Sequence, residues 1–301
     1  MDRSIPEFLY NLLLKEYDKE TLDKIIEGYS KRRRTTLRVN TIKSDINIIK
    51  EQLKSNNVNF ETTEWNENAL IIKNANEDKI RKLEIYKNGE IYLQSLSSMI
   101  PAIILSAKEG ENILDMTAAP GGKTTQIASL SNNKAIITAC EKNKIRAERL
   151  KYNLDKQGVK RVSVIVQDAR KLDDLFSFDK ILLDAPCSGS GTIDINNEKL
   201  DKTFTQELVY RSIEIQKQLL NKAIKILKKN GELIYSTCSI LKEENENIIK
   251  EVISKNNIEL VPIKNEYFKD IPLLPTSLEG TICVYPNETY EGFFIAKLRK
   301  I

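Results

Sequence analysis

A regular alternation of short apolar runs with longer amphipathic segments fills the chain from residue 113 to residue 236. The pattern predicts strands at 113–116, 135–139, 162–166, 180–184 and 232–236, and helices at 122–130, 142–157 and 206–229. Since parallel strands need such crossover connections, this order predicts a doubly wound, Rossmann-like α/β sheet. Ligands bind these sheets in the crevice beyond the carboxyl ends of the strands. The turns that follow the strands are therefore where chemistry is expected.

The segment before this series has a different pattern. Apolar residues at helical spacing predict two short helices within residues 6–29. A small α/β unit follows, with predicted strands at 36–41, 59–63 and 69–73 and predicted helices at 46–54 and 78–83. In outline this unit is similar to an RNA-recognition module, although it lacks the aromatic-rich signature of that module. Residues 94–107 then predict an apolar helix that leads into the alternating series.

The segment after the series completes the predicted architecture. It contains a predicted helix at 243–255 and predicted strands at 258–262, 282–285 and 292–298, the last two pairing as an antiparallel edge. We therefore predict two domains. An N-terminal helical and RNA-recognition-like α/β domain covers residues 1–92, and a Rossmann-like domain covers residues 93–301.

Charge is concentrated locally and is small overall. The 301-residue chain has 41% hydrophobic residues, which is enough for a large core, and a net charge of only +4. Affinity for nucleic acid must then come from a local cluster. Residues 31–43 form one, because they contain no acid and include Lys31, Arg32, Arg33, Arg34, Arg38 and Lys43. No apolar run approaches the roughly 18 residues of a membrane span, so no membrane partner is expected.

The chain contains no histidine, which removes the usual general base and the commonest metal ligand. Any catalysis must use Cys, Asp, Glu or Lys. The four cysteines lack the spacing of a metal site, so no metal is expected; they are Cys140, Cys187, Cys238 and Cys283. Without a secretory signal, reduced thiols and a cytoplasmic location are expected.

A glycine turn between the first strand and the first helix of the series, Ala118 to Thr124, allows two interpretations. A phosphate-binding P-loop needs glycine five positions before Gly122-Lys123-Thr124, where this chain has Thr117. That difference disfavours a nucleotide hydrolase. The other interpretation is a dinucleotide-type fold that binds S-adenosylmethionine, in which the glycines allow close approach of the backbone.

Acidic residues at four strand ends support the second interpretation. Glu141 follows the second strand and lies 20 residues after Gly121, the spacing at which an acid accepts hydrogen bonds from ribose hydroxyls. Asp168 ends the third strand and is expected to receive an adenine amino group. Single acids at such positions are often helix caps. Four at equivalent ends, Asp115, Glu141, Asp168 and Asp184, indicate a binding crevice.

Two apolar runs end in turns that carry a thiol, residues 180–191 with Cys187 and residues 232–239 with Cys238. Neighbouring strands lie about 4.8 Å apart, so adjacent parallel strands bring both thiols to one crevice. Carbon-5 of cytosine accepts a methyl group only after a nucleophile has added to carbon-6. A thiolate suits this step because it adds readily and also leaves readily. The carbon-5 proton must then be removed, which explains a second reactive group.

Asp184 and the turn that follows it indicate which atom of the base accepts the methyl group. Asp184 is expected to hydrogen-bond nitrogen-3 of the base and so favour addition of the thiolate, which requires a raised pKa if it acts as a donor. In an enzyme that methylates an exocyclic amine, an Asn/Asp-Pro-Pro-aromatic turn is expected at this position. This chain has Asp184-Ala-Pro-Cys187, which favours carbon over nitrogen as the acceptor.

Taken together, these motifs resemble those of the Sun/Nop-type RNA 5-methylcytosine methyltransferases. The resemblance is carried by Leu37 to Lys43, Ala118 to Lys123, Asp184 to Cys187, Ser236 to Cys238 and the final strand 292–298. It implies a methyltransferase domain that uses S-adenosylmethionine. The segment that follows Gly191, residues 192–199, departs from the basic, proline-containing sequence usual in the family.

The resemblance also implies roles for individual residues. Cys238 is implied as the nucleophile, Cys187 as the residue that assists release of methylated RNA, and Asp184 and Lys123 as their catalytic partners. The implied S-adenosylmethionine contacts are Ala118, Ala119, Pro120, Gly121, Gly122, Lys123, Glu141, Arg146, Asp168 and Asp184. The RNA contacts expected from the basic cluster and the adjoining motif are Arg32, Arg33, Arg34, Arg38 and Asn40.

We therefore predict a monomeric enzyme that methylates carbon-5 of cytosine in structured RNA, with ribosomal RNA favoured and transfer RNA as the other target. The competing hypothesis is an RNA-binding ribosome assembly factor that keeps the methyltransferase fold but has little turnover. The intact pair of Cys187 and Cys238 argues against it.

Overall fold

The computed structural model describes residues 5–197 and 200–301. The first four residues of the predicted N-terminal domain lie outside the described residues, as do Glu198 and Lys199 at the end of the divergent segment after Gly191.

The larger sheet matches the predicted Rossmann-like class. Its parallel strands are β5 (Asn112–Asp115), β6 (Ile136–Cys140), β7 (Val162–Ile165), β8 (Phe178–Asp184) and β9 (Leu227–Thr237). Its antiparallel strands are β10 (Ile258–Leu260), β11 (Ile282–Val284) and β12 (Phe293–Lys300). The order is β10-β12-β9-β8-β5-β6-β7, with β11 also paired to β12. The fold class is therefore confirmed, including the antiparallel C-terminal edge between β11 and β12.

Helices cover both faces of this sheet. They are α6 (Leu96–Leu105), α7 (Gly122–Leu130), α8 (Lys144–Lys156), α9 (Leu200–Thr203), α10 (Gln206–Ile226) and α11 (Glu246–Lys255). The predicted helix 206–229 is too long by three residues. The chain enters β9 directly at Leu227, which pairs with Phe178 of β8, so sheet pairing overrides the helical pattern there. Within residues 5–197 and 200–301, no helix is both long and apolar enough to cross a membrane.

The N-terminal unit has a second sheet with the order β2-β3-β1-β4. Its strands are β1 (Thr36–Val39), β2 (Phe60–Thr62), β3 (Ala69–Ile72) and β4 (Ile91–Leu93), and its helices are α3 (Ile46–Ser55), α4 (Glu77–Arg81) and α5 (Glu84–Lys87). This β-α-β-β-α-β order with antiparallel pairing is ferredoxin-like. β4 was not predicted, and the predicted domain boundary at residue 92 falls inside this strand. The boundary stays a prediction.

One face of this second sheet is buried against the larger domain. Side chains alternate along a strand, so Leu37 and Val39 enter the core of the N-terminal unit, while Arg38 points the other way. Arg38 donates from Nη2 to Thr125 Oγ1 of α7 at 3.0 Å and from Nε to Gln94 Oε1 at 3.2 Å.

Asn40, just beyond β1, has a similar position. Its side-chain amide donates to the carbonyls of Gly89 and Gln157, each at 2.8 Å. Arg38 is 3% exposed and Asn40 is 0% exposed. The face that carries them is covered by the larger domain, and both side chains are committed to internal hydrogen bonds. This arrangement disfavours the predicted contact of these two residues with RNA.

Two helices precede the second sheet and pack onto the core of the larger domain. They are α1 (Glu7–Glu16) and α2 (Lys19–Ser30), and they confirm the two predicted short helices. The hydroxyl of Tyr17 donates to the carbonyl of Ile240 at 2.7 Å, and that of Tyr29 donates to the carbonyl of Ser190 at 2.5 Å. Both helices therefore support the loops that follow β8 and β9.

The buried position of Arg38 makes a prediction about stability. Arg38→Ala should lower the free energy of unfolding by roughly 2 to 4 kcal/mol, because its partners stay buried without a donor. Denaturant unfolding measures the change. Arg32→Ala removes an exposed arginine from the same segment and should change stability by at most about 0.5 kcal/mol. Wild-type stability combined with weakened RNA binding in Arg38→Ala would contradict the buried role.

Candidate active site

The two predicted thiols come together where β8 and β9 end. These strands pair in parallel with Asp184 opposite Ser236, and each then enters a turn with a cysteine. The Sγ atoms of Cys187 and Cys238 lie 3.1 Å apart. The amide of Ala185 donates to the carbonyl of Ser236 at 2.7 Å, which ties the two turns together at their base.

A pair of glycines closes the same region. The amide of Gly191 donates to the carbonyl of Cys238 at 2.9 Å, and the amide of Gly292 donates to the carbonyl of Gly191 at 2.8 Å. A Cβ atom on Gly191 would lie 2.0 Å from the carbonyl oxygen of Gly292. Only glycine fits here, because the backbone of the Cys187 turn passes directly against the start of β12.

The environment distinguishes this pair from the other cysteines. The contact with Cys238 and burial raise the pKa of Cys187 well above its ordinary value. Burial raises the pKa of Cys140 to about 12, and it also raises that of Cys283. Cys140 and Cys283 are buried in the apolar cores, far less suited to reaction than a pair that lines an open cavity.

Lys123 and Asp184 form an ion pair beside the thiols. Lys123 Nζ donates to Asp184 Oδ2 and to Ser98 Oγ, both at 2.7 Å. Ser236 Oγ donates to the other carboxylate oxygen at 2.8 Å. The ammonium group also lies 5.3 Å from the ring centre of Phe293. The ion pair holds Asp184 as an acceptor with a fixed orientation at the end of β8.

A cavity of about 300 Å³ lies on one side of Asp184 and Cys238. It is lined by the ends of the central strands and by α10, including Met116, Thr117, Ala119, Glu141, Arg146, Asp168, Arg170, Asp184, Pro186, Cys187, Ile215, Leu219 and Cys238. Five of the predicted cofactor residues are among these: Ala119, Glu141, Arg146, Asp168 and Asp184. The cavity therefore lies at the predicted crevice.

The acids of this cavity have unequal environments. Glu141 is 4% exposed and accepts the amide of Asn143 at 2.9 Å, while its other oxygen lies 3.6 Å from Arg146. Asp168 is held by hydrogen bonds from Arg170, the closest at 2.5 Å, and these lower its pKa to about 2. Asp168 is therefore ionised, and its oxygens are already engaged.

The fourth predicted acid has a structural position. Asp115 is buried at the end of β5 and accepts a hydrogen bond from Thr124 Oγ1 at 2.7 Å. Burial raises its pKa to about 6. Its carboxylate anchors the first turn of α7, so the glycine loop between them keeps its shape. Gly121 in that loop has φ +110°, which favours glycine.

A second cavity, of about 350 Å³, lies on the other side of Asp184 and Cys238. It shares Thr117, Ala119, Asp184 and Cys238 with the first cavity. The remaining predicted loop residues line it, namely Ala118, Pro120, Gly122 and Lys123. Gly121 itself lines neither cavity. The nucleophile predicted from the sequence is therefore accessible from both sides.

Sequence reasoning missed several residues of the second cavity. Ser98, Thr192, Glu291 and Phe293 line it, and they come from segments distant in sequence. Phe293 belongs to the recognised final motif, which was the one available signal, but nothing in the sequence places its ring beside Lys123. Ser98 lies in the first turn of the apolar helix α6, whose cap is Ser95, and nothing local marks it as a partner of Lys123.

The basic cluster lies near this second cavity. Arg33 and Arg34 line a smaller cavity of about 160 Å³, which shares Leu93, Gln94, Ser95 and Glu291 with the second one. Arg33 donates to the carbonyl of Asn287, and Arg34 pairs with Glu288 at 2.6 Å. Arg32 is exposed. Arg33 and Arg34 therefore lie along one route to Cys238, and Arg32 precedes them in the chain.

The thiol pair predicts a change in reactivity. Cys238→Ala should lower the pH at which iodoacetamide alkylates Cys187, because the contact that raises the pKa of Cys187 most is then removed. Peptide mass spectrometry across a pH series measures this. Cys283→Ala leaves the pair intact and should leave the Cys187 profile unchanged. An unchanged profile in Cys238→Ala would contradict the contact.

The sequence matches two family profiles. The profile described as 16S rRNA methyltransferase RsmB/F covers residues 102–299. The profile described as the ferredoxin-like domain of RsmF/B-like methyltransferases covers residues 5–77, in agreement with the strand order of the N-terminal sheet.

Curated and solved relatives agree with these profiles. The 28S rRNA (cytosine-C(5))-methyltransferase of Mus musculus is 34% identical over 99% of this chain and 39% of its own length. The chain spans 38% to 60% of the length of five curated relatives, the mouse protein included. A crystal structure of NSun6 from Pyrococcus horikoshii with SFG has a TM-score of 0.85 and 26% identity, with 98% of each chain covered.

One relative is matched over nearly all of its own length. The tRNA (cytosine(49)-C(5))-methyltransferase of Pyrococcus abyssi is 34% identical over 95% of this chain and 98% of its own. Because one profile covers more than half of the chain and this relative aligns almost end to end, the chain belongs to the RsmB/F family, a Sun/Nop-type family of RNA 5-methylcytosine methyltransferases.

Proposed function

We propose that this chain uses S-adenosylmethionine to methylate carbon-5 of cytosine in RNA through a covalent adduct. The observation that carries the proposal is the position of Cys238. Its sulfur lies 3.1 Å from that of Cys187, and it borders two separate cavities together with Asp184. Methyl transfer to a base that is bound to a nucleophile needs one cavity for the methyl donor and another for the base, and the two cavities must meet at that nucleophile.

The first cavity fits S-adenosylmethionine by its chemistry. Glu141 supplies an acceptor for the ribose hydroxyls. Asp168, whose oxygens keep further acceptor capacity beside their bonds from Arg170, supplies one for the adenine amino group. Ile215 and Leu219 supply an apolar wall for the adenine ring. Arg146 fixes the loop beside them by donating to the carbonyl of Ala119 at 2.8 Å. When bound, S-adenosylmethionine supplies an electrophilic methyl group. The P. horikoshii relative with SFG supports this assignment.

The second cavity is assigned to the target base. A cytosine there meets Asp184, which Lys123 holds in place; its carboxylate accepts a hydrogen bond from nitrogen-3 once nitrogen-3 carries a proton, which favours addition at carbon-6. Phe293 supplies an aromatic surface beside Lys123. A paired cytosine must first be flipped out at a cost of a few kcal/mol. The proposed enzyme therefore favours an unpaired or mispaired cytosine.

Cys238 and Cys187 divide the covalent chemistry. The Cys238 thiolate adds to carbon-6 and makes carbon-5 nucleophilic, so that carbon-5 can accept the methyl group. Carbon-5 then carries both a methyl group and a proton. Cys187 first gives its own proton to solvent, and its thiolate then takes the carbon-5 proton; the electrons of the broken C–H bond restore the double bond between carbon-5 and carbon-6. The bond from carbon-6 to sulfur breaks, and Cys238 leaves as a thiolate.

Ribosomal RNA is the favoured target, with transfer RNA as the other. Relatives of both kinds, including the mouse 28S rRNA enzyme and the P. abyssi tRNA enzyme, are equally similar to this chain at 34% identity. The family profile favours ribosomal RNA. We propose a cytoplasmic monomer.

The division of labour between the thiols predicts opposite phenotypes. With unmodified, radiolabelled ribosomal and transfer RNA transcripts and S-adenosylmethionine, Cys238→Ala should form neither product nor adduct. Cys187→Ala should accumulate a covalent protein–RNA adduct, visible as a shifted band on a denaturing gel, because release fails after addition. Cys283→Ala should behave as the wild type. Methylation by Cys238→Ala, or an adduct that requires Cys187, would reverse the assigned roles.

The exposed end of the basic cluster predicts a salt-dependent contribution to RNA affinity. Arg32→Ala should weaken binding to the same transcripts and reduce the slope of log affinity against log salt by about 1. Filter binding over a salt series measures it. Lys255→Ala removes a similarly exposed charge from α11 and should leave the slope unchanged. Equal slopes for both variants would place the RNA elsewhere.

A further inference from the structure

A buried carboxylate lies directly behind the Cys187 turn. Glu244 is 0% exposed and lies between β9 and α11. Its Oε1 atom accepts the backbone amide of Ser188 at 2.8 Å, and its Oε2 atom accepts the hydroxyl of Ser188 at 2.6 Å. Both carboxylate oxygens therefore hold the residue that follows Cys187.

The residue before Cys187 is held by the same group of side chains. The amide nitrogen of Gln216, on α10, donates to the carbonyl of Pro186 at 2.9 Å and to Glu244 Oε1 at 3.2 Å. The turn that carries Cys187 is thus fixed on both sides of the thiol. Any shift of this turn must break hydrogen bonds to a buried charged group, which are costly to lose.

Glu244 is itself fixed to the strand that carries the other thiol. The hydroxyl of Tyr235, on β9, donates to the backbone carbonyl of Glu244 at 2.7 Å. Cys238 directly follows the end of the same strand, three positions after Tyr235. The position of Cys187 is therefore set relative to β9, and not only by the end of β8.

Glu244 holds the Cys187 turn with a carboxylate, although a neutral side chain would lose less solvation free energy on burial. Among residues 5–197 and 200–301, no lysine or arginine forms an ion pair with Glu244, and burial raises its pKa. Burying an acid without a cation is unfavourable. Its negative charge also adds to the effects that keep the proton on Cys187, and a thiolate formed there is consequently a stronger base.

We propose that Glu244 is a positioning residue for the release step, which acts through Ser188 and Gln216 to hold Cys187 against the adduct on Cys238. The proposal rests on the proposed function, in which Cys187 removes the carbon-5 proton and Cys238 leaves as a thiolate. Addition of Cys238 to carbon-6 makes no use of the Cys187 thiol. Loss of Glu244 therefore affects the second half of the reaction and spares the first.

The experiment compares adduct and product for variants of Cys187, Glu244 and Glu246, with the transcripts and methyl donor used for the cysteine variants. Glu244→Ala should accumulate the covalent adduct as Cys187→Ala does, while product release slows by about 10- to 100-fold, the effect of misplacing a reacting group by about 1 Å. Glu246→Ala is the matched control. Glu246 is equally buried at 3% exposed, but it accepts from Ser277, and its variant should show no excess adduct.

A merely structural role for Glu244 gives a different result, because a loosened fold lowers adduct and product together. That outcome overturns the inference. If Cys187→Ala traps the adduct and Glu244→Ala does not, the inference fails and the proposed function stands. If Cys187→Ala also traps nothing, the proposed function fails.

A second variant decides the matter if Glu244→Ala does not fold. Ser188→Ala removes only the hydroxyl bond to Glu244 and leaves the backbone bond in place. It should show a smaller excess of trapped adduct than Cys187→Ala, with thermal unfolding close to that of the wild type. A folded Ser188→Ala that releases product as fast as the wild type overturns the proposal.

Discussion

The parallel pairing of β8 with β9 is the constraint on which the site depends. With Asp184 opposite Ser236, the two strands end level with each other, and each chain must turn at the same edge of the sheet. A shift of one residue would point Asp184 to the opposite face. The register therefore places an acid and two thiols in one crevice before any side-chain contact is made.

The register brings Asp184 and the two thiols near each other, and buried polar groups then fix their exact positions. Lys123 orients Asp184, Glu244 and Gln216 hold the Cys187 turn, and Tyr29 reaches from α2 to the carbonyl of Ser190. Each of these bonds joins segments far apart in the chain. Satisfied networks of this kind give a core a single arrangement, and here that arrangement keeps two sulfur atoms in contact.

The ferredoxin-like unit packs against the larger domain through one face of its sheet. In a free module, the face of β1 that carries Arg38 would be exposed. Here that face packs on α7, and Arg38 donates to Thr125 across the boundary. The basic segment just before it, with Arg33 and Arg34, remains beside the cavities. Arg33 and Arg34, at the edge of the unit, therefore bring positive charge to the site. The sheet face that carries Arg38 packs against the larger domain and holds the two units together.

Much of the fold was predictable because it follows local periodicity. The alternating series fixed the order of strands and helices, and its strand ends located the acids and both thiols. The errors arose where tertiary pairing outweighs local preference. Leu227 joins a strand because Phe178 offers it a partner, and β4 is too short for a pattern to be visible.

The sequence by itself determined the fold class, the two cysteines and the acid that accompany them, since strand periodicity and turn chemistry are local properties. Only the tertiary structure decided which residues surround them. It assigned Arg38 to a buried interface and placed Phe293 and Ser98 beside Lys123. It also placed Glu244 behind Cys187. These contacts join distant segments, and no local pattern encodes a contact that exists only when two surfaces pack together.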